Sequence, residues 1–137
     1  MPSTQEVLNH HLACFAASDL EGTLADFNED SVLLTPQGAL KGLPAIRTFF
    51  EAAYAEFGQP GTQLKLNQML IDGECAYIAW EAETSASTYE AATDTFFIKD
   101  GRIVVQAFGA KVTPKLAAGA ADAALRTGAE YSGLSVA

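Results

Sequence analysis

The chain has 137 residues with 17 acidic side chains against eight basic ones, a formal net charge of −9 whose field repels phosphate backbones and anionic membrane surfaces, so neither nucleic acid nor a membrane is an expected partner. That length fits one ordinary domain that buries its core without disulfides or metals. Two cysteines without metal-type spacing, no apolar run near the ~20 residues of a membrane span and no basic-then-apolar N-terminus point to a soluble, cytoplasmic protein with Cys14 and Cys75 as core thiols.

The predicted elements begin with a helix over 4–18, where Leu8, Leu12 and Phe15 fall on one face and Ser3 or Thr4 is available as cap. At 100° per residue His11 sits on the flank of that stripe and can look inward, whereas His10 projects to the far side. Asp19 is placed to cap a short second helix reaching about Phe27, which Asn28, Glu29 and Asp30 end before an extended Ser31 to Pro36. Pro44 suits the first turn of a third helix, whose stripe of Ile46, Phe49, Phe50, Ala53 and Phe57 runs until Gly58 and Pro60 and needs a sheet to cover.

Four strands follow near 62–72, 75–85, 88–99 and 102–112, separated by Asp72-Gly73, a polar patch at 85–88 and Asp100-Gly101, an order that predicts consecutive antiparallel hairpins. Trp80 shares a face with Ala76, Ile78 and Ala82, while Tyr77, Glu81 and Glu83 share the other. The later strands carry apolar residues on both faces, which predicts helices against one and a second copy of the protein against the other. Beyond Thr113-Pro114, whose threonine could cap a further helix, the composition turns to alanine and glycine, so the chain divides into one domain over 1–114 and a partly helical or mobile extension over 115–137.

Asp94 stands out because Ala91 to Ile98 set one carboxylate in an apolar strand, and alternation groups it with Ala92, Phe96 and Ile98. If those rings face the core, desolvation raises its pKa and favours a neutral, proton-donating acid. Phe15, Leu34, Phe50, Tyr54, Trp80 and Phe96 supply walls for a pocket, with Thr35 beside them and Gln106 as a polar contact. Whether Gln106 meets Asp94 depends on the Asp100-Gly101 turn: a two-residue loop pairs Asp94 with Ala107, and a three-residue loop with a glycine bulge, the favoured version, pairs it with Gln106. His10 or His11 with Cys14 has helical spacing, but no further ligand accompanies them, and neither a metal nor a cofactor is expected.

The run Ser18-Asp19-Leu20-Glu21-Gly22, then Leu24 to Pro36, then Lys41-Gly42-Leu43-Pro44-Ala45-Ile46-Arg47-Thr48-Phe49-Phe50, followed by long strands, resembles the nuclear transport factor 2-like superfamily in its SnoaL-like and ketosteroid-isomerase-like branch, over roughly residues 4 to 113. The resemblance implies an α+β fold of the cystatin-like type, a cone-shaped barrel in which three N-terminal helices pack on a strongly curved, largely antiparallel sheet enclosing a pocket for a small, mostly apolar molecule. It also implies a homodimer. In ketosteroid isomerases an acid equivalent to Asp94 and a tyrosine at the position of His11 bind the oxyanion of an enolate, so these two residues are the candidate catalytic pair, with coupled titrations expected. The family's base is an aspartate just before a proline; here Thr35-Pro36 holds that place, and Phe50 stands where the family has a second tyrosine. A threonine hydroxyl is no resting base near pH 7. The last strand, at Ala107 to Lys111, lacks the acidic residue of SnoaL-type cyclases, and no second acid with an arginine near Asp94 suggests the cluster of limonene-epoxide hydrolases. These residues imply isomerase- or cyclase-like chemistry by enolate stabilisation, or else a non-catalytic dimeric binding or interaction module.

Overall fold

A computed structural model describes residues 1–115. Helix α1 spans Thr4–Ala17 and starts in a capping box, where the Ser3 hydroxyl accepts from the Glu6 amide and the Glu6 carboxylate accepts from the Ser3 amide. Helix α2 is only Leu20–Leu24, capped by Asp19. Strand β1 (Phe27–Thr35) turns into β2 (Gly38–Lys41), after which α3 (Leu43–Phe57) begins with Pro44 in its first turn. Strands β3 (Gln63–Asp72), β4 (Cys75–Glu83), β5 (Ser87–Lys99) and β6 (Arg102–Pro114) complete one six-stranded sheet in the order β2-β1-β6-β5-β4-β3.

The expected α+β architecture is present: three helices on a mostly antiparallel sheet, with β3 to β6 as consecutive hairpins and β1 inserted parallel to β6. The differences lie before α3. The second helix stops short of Phe27, because Asn28 to Asp30 lie within β1, where the Ser31 hydroxyl donates to the Ile103 carbonyl and accepts from the Asn28 amide. Thr113 lies in β6, paired with Thr88 as the strand continues to Pro114, and the Lys115 ammonium bonds the Thr84 carbonyl and Glu83. The expected Ala/Gly-rich extension falls, apart from Lys115, outside the described residues. No described helix is long and apolar enough to cross a membrane.

The core lies between the helices and the inner face of the sheet, with Leu8, Leu33, Ile46, Phe50, Phe96 and Ile103 almost wholly excluded from solvent. Strand parity departs from simple alternation at several irregularities, including one in β1 and one in β3 at Asn67, and two of the bulges bear on the inner face of β5 and β6. Ala91, at φ 49°, marks an extra residue in β5 against both neighbours, and Val104 is an extra residue in β6 opposite Phe97 and Ile98. Each adds a local bend to its strand. The outer face keeps Leu34, Leu70 and Phe97 exposed, along with Cys75, which is therefore not the core thiol expected; Cys14 is buried.

Candidate functional site

Asp94 projects inward from β5, in line with Ala92, Phe96 and Ile98. Its cross-strand partner on β4 is Ile78, so Trp80 is a diagonal neighbour on the same face and donates its indole Nε1–H to Asp94 Oδ2 at 2.8 Å. On β6 the partner is Phe108, and Gln106 donates from Nε2 to Asp94 Oδ1 at 2.9 Å. Neither register expected from the turn is the one adopted. The Asp100-Gly101 turn is a two-residue hairpin loop with both φ positive, closing on Lys99 and Arg102, and the added residue sits at Val104 instead. Gln106 thereby reaches Asp94 from a diagonal position.

Burial pushes the Asp94 carboxyl up to about 6, against the pull of the Gln106 and Trp80 hydrogen bonds, which favour the ion. The result is a carboxylate that exchanges its proton close to neutrality. Gln106 Oε1 is buried with no partner among the described residues.

His11 lies within the buried stripe of α1, together with Val7, Leu8 and Cys14. Its ring is caged edge-on by Phe96, Phe50 and Phe27 at centroid distances of 5.3, 5.9 and 6.1 Å. Desolvation, with a smaller contribution from the charge of His10, lowers its pKa to about 4, so the imidazole is neutral at physiological pH. Its Nδ1 is likewise buried and unpartnered among the described residues. Phe96 is the shared neighbour: it packs on His11 and follows Asp94 by two positions on the same face. Desolvation is the largest cause in both shifts, and neither group features among the causes of the other's.

The expected walls divide. Phe50, Tyr54, Trp80 and Phe96 are buried, and Phe15 packs its ring 5.2 Å from that of Tyr54. The Tyr54 hydroxyl pairs with that of Thr23, and burial raises it to about 12. Leu34 points out to solvent, because the parity of β1 puts Leu33 inside, paired with Gln106. Thr35 is spent on the β1–β2 turn, where its hydroxyl donates to the Gly38 carbonyl at 3.0 Å and accepts from the Gln37 amide at 3.2 Å. Phe108 is the wall that sequence reasoning missed; its ring lies nearly parallel to Trp80, 17° apart with centroids at 6.0 Å.

A second polar cluster lies on the other flank of α1. His10 Nδ1 meets Asp26 Oδ2 at 2.7 Å, and Cys14 Sγ is 3.5 Å from His10 Nε2. Burial and the Asp19 charge push the Cys14 thiol up, so it is a protonated packing group rather than a nucleophile. Among the described residues no three His, Cys, Asp or Glu side chains converge as a metal site. A surface groove of about 460 Å³ between α2 and the start of α3, lined by Leu24, Ala25, Leu43 and Pro44 and the Glu21–Arg47 ion pair, is lined by none of the residues around Asp94.

A family model described as a SnoaL-like domain matches residues 8–106. No curated protein matches the chain. Among solved structures, an NTF2-like protein of unknown function from Cytophaga hutchinsonii superposes with a TM-score of 0.66 at 13% identity, covering 81% of this chain and 92% of its own. A candidate polyketide cyclase from Sinorhizobium meliloti gives 0.63 at 22% identity, covering 80% and 95%. A candidate ketosteroid isomerase from Kribbella flavida gives 0.65 at 17% identity, covering 85% and 84%. At such identities the likeness is one of fold.

Proposed function

Because the chain belongs to the SnoaL-like domain family, we propose that it binds a small, mostly apolar molecule between its helices and its sheet, with Asp94, Gln106 and His11 as the polar contacts. The observation that carries this reading is a buried carboxylate, held by two donors and poised near neutrality, in an aromatic core that also holds two polar atoms without a partner among the described residues, Gln106 Oε1 and His11 Nδ1. Buried polar groups in folded proteins are normally paired, and an unpaired one suits a ligand's polar group. The chemistry that suits the site is isomerase- or cyclase-like: Asp94 exchanges a proton with the carbon end of an enol whose hydroxyl a neighbouring polar group holds. A non-catalytic binding module is the second reading, favoured by Thr35, whose hydroxyl is tied into a turn where related isomerases keep their base.

Apolar ring compounds should bind weakly to the wild type, and a 3-oxo-Δ5 steroid should not be converted to its conjugated enone. Thr35→Asp should not restore turnover, since position 35 belongs to the hairpin turn. Ligand titration beside an absorbance assay for the enone checks both. Rapid turnover by the wild type would show that Asp94 serves as the base for steroids too, whereas absence of binding by any ring compound would transfer the weight to the interaction module.

The reading includes a homodimer formed through the outer sheet face. Leu34, Leu70 and Phe97 are exposed there, and Val32, Tyr77, Val105 and Ala107 are only half-buried around them. Light scattering should give twice the 14.5 kDa chain mass, and Phe97→Glu should reduce it to the monomer. A wild type that is monomeric at every concentration would remove this interface.

A further inference from the structure

We propose that Gln106 selects ligands by the polarity of their hydrogen-bonding group: its Oε1 accepts from a ligand hydroxyl, as in an alcohol, phenol or enol, and Asp94 is the positioning residue that decides which end of the amide faces the ligand. This rests on the ligand site proposed above and narrows its substrate class.

A side-chain amide has a donating and an accepting end, and its neighbours determine how it turns. Asp94, when ionised, only accepts. Trp80 Nε1–H already serves Oδ2 at 2.8 Å, and the 2.9 Å contact at Oδ1 therefore requires the amino end of Gln106. Turning the amide over would set Oε1 against a carboxylate oxygen, acceptor against acceptor. The carbonyl end is thus committed to the remaining direction, where it is buried and meets no partner among the described residues. A hydroxyl or N–H brought there would satisfy it; a ketone or aldehyde oxygen would repeat the acceptor-to-acceptor clash. The nearly parallel rings of Trp80 and Phe108, both in the core beside this group, favour a hydroxyl carried on a flat ring over a flexible chain. His11 is the other titratable group nearby, and at pH 8 it is neutral and leaves the arrangement unchanged.

The test uses three ring compounds of nearly one shape, 5-indanol, 1-indanone and indane, titrated into the full chain at pH 8. Trp80 is the only tryptophan, so its indole N–H resonance in a nitrogen-correlated NMR spectrum reports directly on the Asp94 cluster. We expect 5-indanol to bind at least about tenfold more tightly than indane, and 1-indanone no more tightly than indane. In Asp94→Asn the new carboxamide keeps its oxygen on Trp80 and offers its amino group to Gln106 Oε1, which turns Gln106 Nε2 toward the ligand; preference should swing to 1-indanone. Gln106→Met should level the three compounds. Tighter binding of 1-indanone by the wild type would overturn the inference while leaving the ligand site intact. An unchanged preference for 5-indanol in Asp94→Asn would overturn the role given to Asp94. Failure of all three compounds to bind would defeat the ligand site itself and this inference with it. If Gln106→Met does not fold, the wild-type ranking and Asp94→Asn still decide.

Discussion

Replacing Phe50 with Ala should destabilise the protein by about 3–5 kcal/mol, the range for truncating a fully buried aromatic ring. Phe50 is 1% exposed, and its ring centroid lies 5.2 Å from that of Phe49, 5.7 Å from Tyr54 and 5.9 Å from both His11 and Phe27. Its removal takes away a large apolar surface and leaves a hole that several rings cannot all collapse into. Phe97 is the control: at 39% exposed on the outer face, Phe97→Ala should cost less than about 1 kcal/mol in the isolated chain. Urea unfolding at low protein concentration, where any dimer dissociates, compares the two. Equal costs would mean that the helices do not clamp this ring against the sheet. The same variant carries a second readout, because water admitted beside His11 should let its pKa climb back from about 4 toward 6.5.

Asp94→Asn should stabilise the protein at pH 8 by about 3 kcal/mol and should do almost nothing at pH 3.5. The folded carboxyl titrates at about 6 and the unfolded one at 3.8, so between those values the native state holds a proton that the unfolded chain has released. The stability due to neutral Asp94 is complete below 3.8 and is lost as pH rises through 6. A carboxamide has no proton to lose, so the difference between variant and wild type should open across that window and then level off. His11 acts in the opposite sense: its folded pKa of about 4 lies below 6.5, so its contribution is complete above 6.5 and is lost as pH falls through 4. In the wild type the two slopes oppose each other, and removing the carboxylate uncovers the histidine slope as stability that climbs with pH. Denaturant melts of both proteins at half-unit pH steps measure the difference, and a constant offset at all pH values would contradict a buried, raised Asp94.

Much of this was legible in the sequence because it is written in short periods. Three helices, four hairpin strands and the inward facing of Trp80, Asp94 and Phe96 each follow from neighbours within a few residues. What was not legible depends on counting across an irregularity or on partners far along the chain. Leu33 rather than Leu34 faces inward because β1 lies parallel to β6, a pairing across some seventy residues that no local pattern announces. Thr35 could be aligned with a catalytic position, yet its hydroxyl is claimed by a two-residue turn and the short β2 beyond it. The His10–Asp26 contact had no sequence signal beyond two polar residues sixteen positions apart. His11 was legible as a residue on the flank of a stripe; its aromatic cage required the sheet.

The bulge at Val104 gives this molecule a frame, in the sense that a coding sequence has one. Ile103 and Gln106 both face inward only because one residue between them is uncounted by the pairing. Were Val104 paired in the ladder with no bulge, plain alternation from Ile103 would bring Val105 and Ala107 to the inner face and send Gln106 and Phe108 outward, with every other side chain of the protein unchanged, whereas deleting Val104 would straighten the strand and keep Gln106 inside. With Val104 so paired, Asp94 would have Trp80 alone as donor, beside a smaller and wholly apolar lining. Point substitutions tune such an interior one side chain at a time; a bulge gained or lost exchanges one lining for another in a single event. Chains sharing this fold at low identity can therefore differ in the chemistry of their interiors through where their strands bulge as much as through residue type.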